Sequence, residues 1–87
     1  MILQHKKTKR LYNLIGVGSN DDINCTLFLE LWYRNEKKQI CHAKRSFTYS
    51  SLESLKELLN GFDELAGIAI NKANFSVYEN EADKFRI

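Results

Sequence analysis

The sequence predicts an α+β domain in which an antiparallel sheet of about four to five strands packs on one main amphipathic helix. The expected order is β-β-β-α-β, with room for a final short strand. Residues 23–34 alternate apolar and polar side chains as a strand does, and residues 52–62 repeat leucine at helical spacing. The 87 residues contain no proline and only four glycines, so we expect a single domain over residues 1–87.

The first half of the chain contains the predicted strands. Residues 11–17 are rich in β-forming side chains and lead into the turn-forming residues 18–22. Residues 23–34 form the clearest strand, with apolar side chains on alternate positions. Residues 35–38 are typical of a hairpin turn, after which residues 39–49 return as the third strand.

The predicted helix has a marked beginning and end. Ser50 and Glu53 have the spacing of a capping box, in which each side chain binds the backbone amide of the other residue. Gly61 lies where the helix should end, at a position that often adopts the left-handed conformation, which glycine reaches without strain. Further strands are predicted at residues 68–70, 75–78 and 84–87.

The register of the central hairpin decides which side chains share a face. A loop of even length would set Leu31 opposite His42, so that an aliphatic face meets a polar one. A one-residue shift, from a bulge or an odd-length loop, gives the helix leucines a continuous apolar floor, and we predict this shift. The aliphatic face then continues through Cys41, Ala43, Phe47 and Tyr49. The opposite face carries Phe28, Glu30, Trp32 and Arg34 beside His42, Lys44 and Thr48.

This second face combines large aromatic side chains with cations and is the main candidate binding surface. The residues assigned to partner binding are Phe28, Trp32, Arg34, His42 and Lys44. Aromatic rings can stack on bases while cations neutralise phosphates, and the same residue types anchor protein interfaces. The structural alternative is that Trp32 and Phe28 lie under the N-terminal segment or the C-terminal strands as a second small core.

Charge is distributed unevenly along the chain, whose net charge is +2. Residues 1–45 contain nine Lys or Arg and four Asp or Glu, whereas residues 46–87 contain four and seven. Residues 1–10 form a basic N-terminal segment that could contact phosphates as a mobile arm, or remain a solvated, frayed terminus. The candidate phosphate contacts are Lys6, Lys7, Lys9 and Arg10.

Three kinds of site are not expected. Residues 16–18 resemble the start of a dinucleotide-binding loop, but Asp21 replaces the third glycine, so we assign them to a turn. Cys25 and Cys41 lack the short paired spacing of a zinc site, and we expect reduced, buried thiols and neither metal nor cofactor. No serine lies on a strained elbow with His42, the one histidine within a predicted element, so no catalytic residue is assigned.

Localisation follows from the absence of targeting segments. Only Met1 to Leu3 are apolar before the polar run of residues 4–10, so no signal-peptide core is present. No stretch approaches the roughly 20 apolar residues that span a bilayer. We therefore expect a cytoplasmic protein without membrane contact.

Residues 24–62, and above all residues 45–55, where a strand runs directly into a capped helix, resemble two groups of small proteins. These are inhibitors from phages and mobile elements, such as anti-CRISPR proteins, and bacterial toxin-immunity proteins. The resemblance implies a rigid domain that blocks a surface of a larger protein by steric and electrostatic occlusion. It assigns no functional residue.

The sequence therefore predicts a small non-enzymatic binding protein, an inhibitor or regulator of a larger protein or protein–nucleic-acid complex. The alternative is a nucleic-acid-binding protein that uses the same cations, with the aromatics as stacking platforms. Salt separates the two, because binding to phosphates weakens steeply as salt rises. Self-association through an edge strand or the aromatic face would give a homodimer, which is compatible with either function.

Overall fold

The computed structural model describes residues 1–19 and 25–87 and shows a five-stranded antiparallel sheet with two helices. The elements are β1 (Ile2–His5), β2 (Leu11–Ser19), β3 (Cys25–Arg34), β4 (Ile40–Tyr49), α1 (Leu52–Asn60), β5 (Phe62–Leu65), α2 (Phe75–Glu81) and a 3-10 turn (Ala82–Phe85). The strands lie side by side in the order β4-β3-β2-β1-β5. The predicted α+β class with an antiparallel sheet is confirmed.

The predicted element order, β-β-β-α-β, is wrong at both ends. Four strands and not three precede α1, because residues 2–5 form a strand, β1, that was not predicted. In the sheet β1 lies between β2 and β5. Ile2 and Leu3 of β1 point to opposite faces of the sheet and are both buried, which stabilises this short strand. In the described chain the strands predicted at residues 68–70, 75–78 and 84–87 are absent. Residues 75–81 instead form α2, in which Phe75 and Tyr78 lie about one turn apart and are both buried.

The central hairpin has the predicted register. Residues 35–39 form a loop of odd length, and Leu31 pairs with Ala43 rather than with His42. The loop is fixed by Asn35, whose Oδ1 accepts hydrogen bonds from the backbone amides of residues 37 and 39, both at 2.9 Å. The aliphatic positions of β3 and β4 therefore share one face of the sheet.

Residues 16–18, which we assigned to a turn, lie within β2. The β2–β3 pairing shifts between Leu14 and Gly16, as at a β-bulge. A Cβ atom on Gly18 would lie 2.8 Å from Cε2 of Phe28, so glycine lets the Phe28 ring lie across β2. The remainder of the predicted turn, residues 20–22, and the first two residues of the predicted strand at 23–34 lie outside the described residues.

The sheet separates two hydrophobic cores. On the α2 face, the sheet residues Ile2, Leu11, Trp32 and Leu65 pack with Ile70, Phe75, Tyr78 and Ala82 from the C-terminal part. On the α1 face, the buried residues are Leu3, Tyr12, Leu27, Leu29, Leu31 and Phe62. Burying one such aliphatic or aromatic side chain stabilises the fold by about 1.5–3 kcal/mol, so both faces contribute to stability.

α1 begins one residue later than predicted. Ser51, not Ser50, is the N-cap: its Oγ accepts the Ser54 amide at 3.1 Å, and the Ser54 side chain accepts the Ser51 amide at 2.9 Å. Ser54 thus takes the place predicted for Glu53. The helix ends at Gly61, whose φ of −75° is right-handed rather than left-handed.

α1 connects the two edges of the sheet by crossing its α1 face. Leu58 packs against the core on that face, whereas Leu52 is 67% exposed and no residue of α1 is fully buried. Neither helix in the described chain has the length and apolar run needed to cross a bilayer.

Candidate functional site

The five predicted partner-binding residues lie on the α2 face, as their register requires. Trp32 pairs with His42, and the neighbouring even-numbered positions of β3 and β4 carry Phe28, Arg34 and Lys44. The C-terminal part of the chain then packs over one half of this face. Of the five residues, Trp32 is buried, Arg34 is partly exposed but bonded to α2, and the other three are exposed.

Trp32 is covered and only 8% exposed. Its ring lies 6.3 Å from the ring of Phe75 in α2, and the His42 ring stacks against it at 4.8 Å. The indole Nε1 donates to Glu30 Oε1 at 2.7 Å. Because its neighbours occupy both the ring and its N–H, Trp32 is a core residue; it is buried as in the structural alternative, but under α2 and not under C-terminal strands.

Arg34 holds α2 on the sheet. Its Nε lies 2.9 Å from a carboxylate oxygen of Glu79, and its two terminal nitrogens donate to Ser76 Oγ and the Lys38 carbonyl, both at 2.9 Å. The guanidinium carbon also lies 5.6 Å from the centre of the Phe75 ring. A guanidinium with this many internal partners is committed to the fold.

Phe28, His42 and Lys44 remain accessible. Phe28 is 40% exposed, and it lines a shallow cavity of about 200 Å³ together with Ile15 and Lys44. The His42 side chain is 52% exposed, with Nδ1 at 3.6 Å from Glu30 Oε2. This part of the α2 face is an apolar patch bordered by charged side chains of both signs, since Glu30 lines the cavity as well as Lys44.

The four predicted phosphate contacts lie in the hairpin loop between β1 and β2 rather than in a free terminal arm. The loop is held by His5, whose Nδ1 accepts the backbone amides of Lys7 and Thr8 at 3.2 Å. Gln4 Nε2 donates to the Lys9 carbonyl at 3.1 Å, and Lys9 itself has a φ of 63°. The four cations therefore lie on a loop whose backbone is held by hydrogen bonds with the side chains of His5 and Gln4.

A second basic loop lies at the same end of the sheet. The pairing of Leu11 with Trp32 sets the start of β2 beside the end of β3, so the β1–β2 and β3–β4 loops project together. Two strand spacings, about 10 Å, separate them. The cations of these loops, here called the basic end, are Lys6, Lys7, Lys9, Arg10, Lys37 and Lys38.

None of the six side chains of the basic end forms an ion pair with a described residue. Glu36 is the only acidic residue in the two loops. Uncompensated cations this close together produce a positive potential that attracts an anionic partner. Lys37 and Lys38 were not among the predicted sites. In an antiparallel meander, however, the loops of alternate hairpins lie at the same end of the sheet, so the residues before β2 and the β3–β4 loop belong together.

The basic end continues onto the α1 face. Arg10, Tyr33 and Arg45 line a hollow of about 380 Å³ whose floor includes Leu31. Tyr33 is partly exposed there, so one aromatic ring lies among the cations. Neither Tyr33 nor Arg45 was singled out from the sequence, because the register had to be known before they could be placed beside Arg10.

Two sets of titratable groups lie elsewhere in the sheet. Cys25 and Cys41 are free and half-buried, on the α1 face of β3 and β4. Burial raises the pKa of the Tyr49 phenol above 10.0, and the neighbouring Cys25 raises it further. Among residues 1–19 and 25–87, no three His, Cys, Asp or Glu side chains are grouped to hold a metal ion.

No protein-family model, curated protein or solved structure matches the chain. The geometry of the described residues is therefore the basis for a functional proposal.

Proposed function

We propose that the chain is a small non-enzymatic binding protein that acts in the cytoplasm as an inhibitor or regulator, by docking its basic end on an anionic surface of a larger protein. The basic end carries this proposal, because its six cations share one end of the sheet and lack ion-pair partners among the described residues. A rigid sheet that bears such a surface can block a partner without chemistry of its own. The resemblance of residues 24–62 to anti-CRISPR and immunity proteins implies the same mode of action.

A protein partner is favoured over nucleic acid because the aromatics and cations predicted to act together are separated. Trp32 is buried beneath α2, so it offers no ring on which a base could stack. Phe28 is accessible but lies six residues along β3 from Arg34, about 20 Å from the basic end. Single-stranded nucleic acid is bound where rings and cations alternate along one groove.

Nucleic acid is the second candidate, and the hollow beside the basic end favours it. There Tyr33 lines the same hollow as Arg10 and Arg45, which combines a ring that can stack on a base with cations that can contact phosphates. Six or more phosphate contacts would make binding fall by orders of magnitude between about 50 and about 200 mM salt.

The test compares capture of a partner by three forms of the immobilised chain in nuclease-treated lysate of its own cells. The forms are wild type, a basic-end variant with Lys6, Lys7 and Lys37 changed to Gln, and a control with Lys56, Lys72 and Lys84 changed to Gln. Both variants lose the same charge, so a nonspecific effect of net charge would weaken both equally. We expect a discrete protein to be retained by wild type and control and lost from the basic-end variant.

A parallel titration of labelled single-stranded and duplex DNA and RNA at the two salt concentrations tests the second candidate. Salt-sensitive binding that depends on Lys6, Lys7 and Lys37, without any captured protein, would replace the protein partner with nucleic acid. Retention of the same protein by all three forms would refute a role for the basic end.

A further inference from the structure

β4 forms one edge of the sheet, and its outer side has no strand partner in the described chain. The strand spans ten residues, all of them paired in unbroken register with β3 on the inner side. It contains no proline and no bulge, which are two of the devices that block an edge. Its backbone is therefore shaped to accept a further strand.

The hydrogen bonds of the hairpin show which groups face outward. The Asn35 amide donates to the Gln39 carbonyl at 3.0 Å, so hydrogen-bonded pairs fall on the odd-numbered residues of β4. The even-numbered residues direct their backbone N–H and C=O groups to the open edge. These residues are Ile40, His42, Lys44, Ser46 and Thr48.

Two exposed cations occupy the middle of this edge. Lys44 lies on the α2 face and Arg45 on the α1 face, so an added strand would meet a positive charge on either side. Arg45 also donates from a terminal nitrogen to the Lys44 carbonyl at 2.9 Å, which satisfies one outward acceptor while the edge is open. The backbone amide of an added strand would donate to the Lys44 carbonyl in place of Arg45, which releases the Arg45 guanidinium.

The charges discriminate between occupants. Symmetric antiparallel pairing of two copies through the middle of β4 sets Lys44 opposite itself, or Arg45 opposite itself, and like charges directly across strands are destabilising. A strand with acidic residues at the same positions would instead gain two opposite-charge pairs. The charges thus disfavour a second copy in these central registers, whereas they favour an acidic segment there.

We propose that β4 accepts an extended segment of the partner protein as a sixth strand, with carboxylates opposite Lys44 and Arg45. This inference rests on the proposed function, since it describes how a protein partner docks. Strand addition supplies affinity through main-chain hydrogen bonds, and alternate side chains supply specificity. Because Arg45 also lines the hollow next to the basic end, the two surfaces adjoin and can serve one partner.

The experiment follows amide hydrogen exchange in the isotopically labelled chain with and without a synthetic peptide. The peptide is capped at both ends, alternates threonine and valine, and has two central glutamates; its control has two central lysines. We expect the glutamate peptide to slow exchange at His42, Lys44 and Ser46 by about tenfold or more, since edge amides otherwise exchange freely. Amides of Ala43 and Arg45, which already bond to β3, serve as internal references.

Two variants separate strand addition from simple charge attraction. Ser46→Pro removes an outward N–H that β3 does not use, so the fold is retained and the slowing is lost. The pair Lys44→Glu and Arg45→Glu abolishes binding of the glutamate peptide, whereas Lys56→Glu with Lys72→Glu, an equal charge change away from the edge, leaves it intact. Wild-type-like peptide binding by the Ser46→Pro variant would overturn the inference.

Other results have equally definite meanings. Slowed edge amides without peptide, together with a dimer by light scattering, would make a second copy the occupant and overturn the inference. A captured protein that depends on the basic end but is retained by the Ser46→Pro variant would leave the proposed function standing and reject strand addition. Peptide binding at the edge with no captured protein would instead show that β4 accepts an acidic strand and reject docking of a protein through the basic end.

Discussion

Asn13 allows a direct test of how the C-terminal part of the chain is held on the sheet. The residue is buried on the α2 face of β2, where its Nδ2 donates to the Ile70 carbonyl at 3.0 Å and to Glu30 Oε1 at 3.1 Å. Its Oδ1 accepts the Ile70 amide at 2.6 Å. The side chain thus pairs both backbone groups of a residue 57 positions away.

The Asn13→Ala substitution should lower the free energy of unfolding by about 2–6 kcal/mol. Ile70 is almost fully buried, so its N–H and C=O would each be left unpaired at about 1–3 kcal/mol. Glu30 keeps its bond from Trp32 and adds little to the loss. Since a domain is stable by only about 5–15 kcal/mol, the variant should lie close to unfolding.

Urea denaturation followed by tryptophan fluorescence measures this change, because Trp32, the single tryptophan, lies in the same core. The control is Asn80→Ala on the exposed side of α2, which we expect to stay within about 0.5 kcal/mol of wild type. An Asn13→Ala loss below about 1 kcal/mol would refute the view that these hydrogen bonds fasten the C-terminal part.

Asn13→Asp refines the same test through pH. The new carboxylate would face the Glu30 carboxylate and the Ile70 carbonyl, which raises the pKa of the introduced aspartate side chain in the folded state above its unfolded value. The repulsion acts when the introduced carboxyl is ionised, so this variant should be least stable at neutral pH and recover as pH falls and that carboxyl is protonated. A stability that only declines towards acid would contradict this arrangement.

Two further substitutions test backbone positions, each against a matched control. Gly67→Ala should lower the free energy of unfolding by about 2 kcal/mol or more, measured by thermal denaturation, because its φ is +131° and an added Cβ would overlap the Tyr78 hydroxyl. Gly16→Ala is the control and should be tolerated, because the space around Gly16 is open. Ser51→Ala should cost about 1 kcal/mol through loss of the helix cap, and Ser50→Ala almost nothing. A larger loss of stability for Ser50→Ala than for Ser51→Ala would show that Ser50 is the N-cap, as predicted from the sequence.

The register of the central hairpin could be predicted because side-chain burial outweighs turn length. Alternation along β3 and the need for an apolar floor under the helix leucines favour the register in which Leu31 meets Ala43, although the turn predicted at residues 35–38 is one residue shorter than the observed loop. The position of the five α2-face residues followed from this register. Their exposure did not, because it depends on what packs over them.

The C-terminal half could not be predicted because tertiary contacts outweigh local preference there. Phe75 and Tyr78 have β-forming side chains, yet they form a helix because one turn places both against Trp32 and Leu65. In β5, the apolar residues Phe62 and Leu65 are three positions apart and face opposite cores. Its sequence therefore lacks the regular alternation of apolar and polar residues by which strands are identified. Burial of Trp32 was foreseen only as an alternative, under the N-terminal segment or C-terminal strands, because α2 was not predicted.

The position of β1 in the sheet has a consequence for how the chain assembles. β1 pairs with β5, joining residues about 60 positions apart, such as Ile2 with Leu65. The Met1 amino group likewise donates to the Ile68 carbonyl at 2.9 Å. Contacts of such high sequence separation slow folding, since a long loop must close before they form. During synthesis, β1 to β4 can pair as successive hairpins as they emerge, but the outer side of β1 stays open until β5 has been made and the sheet is complete.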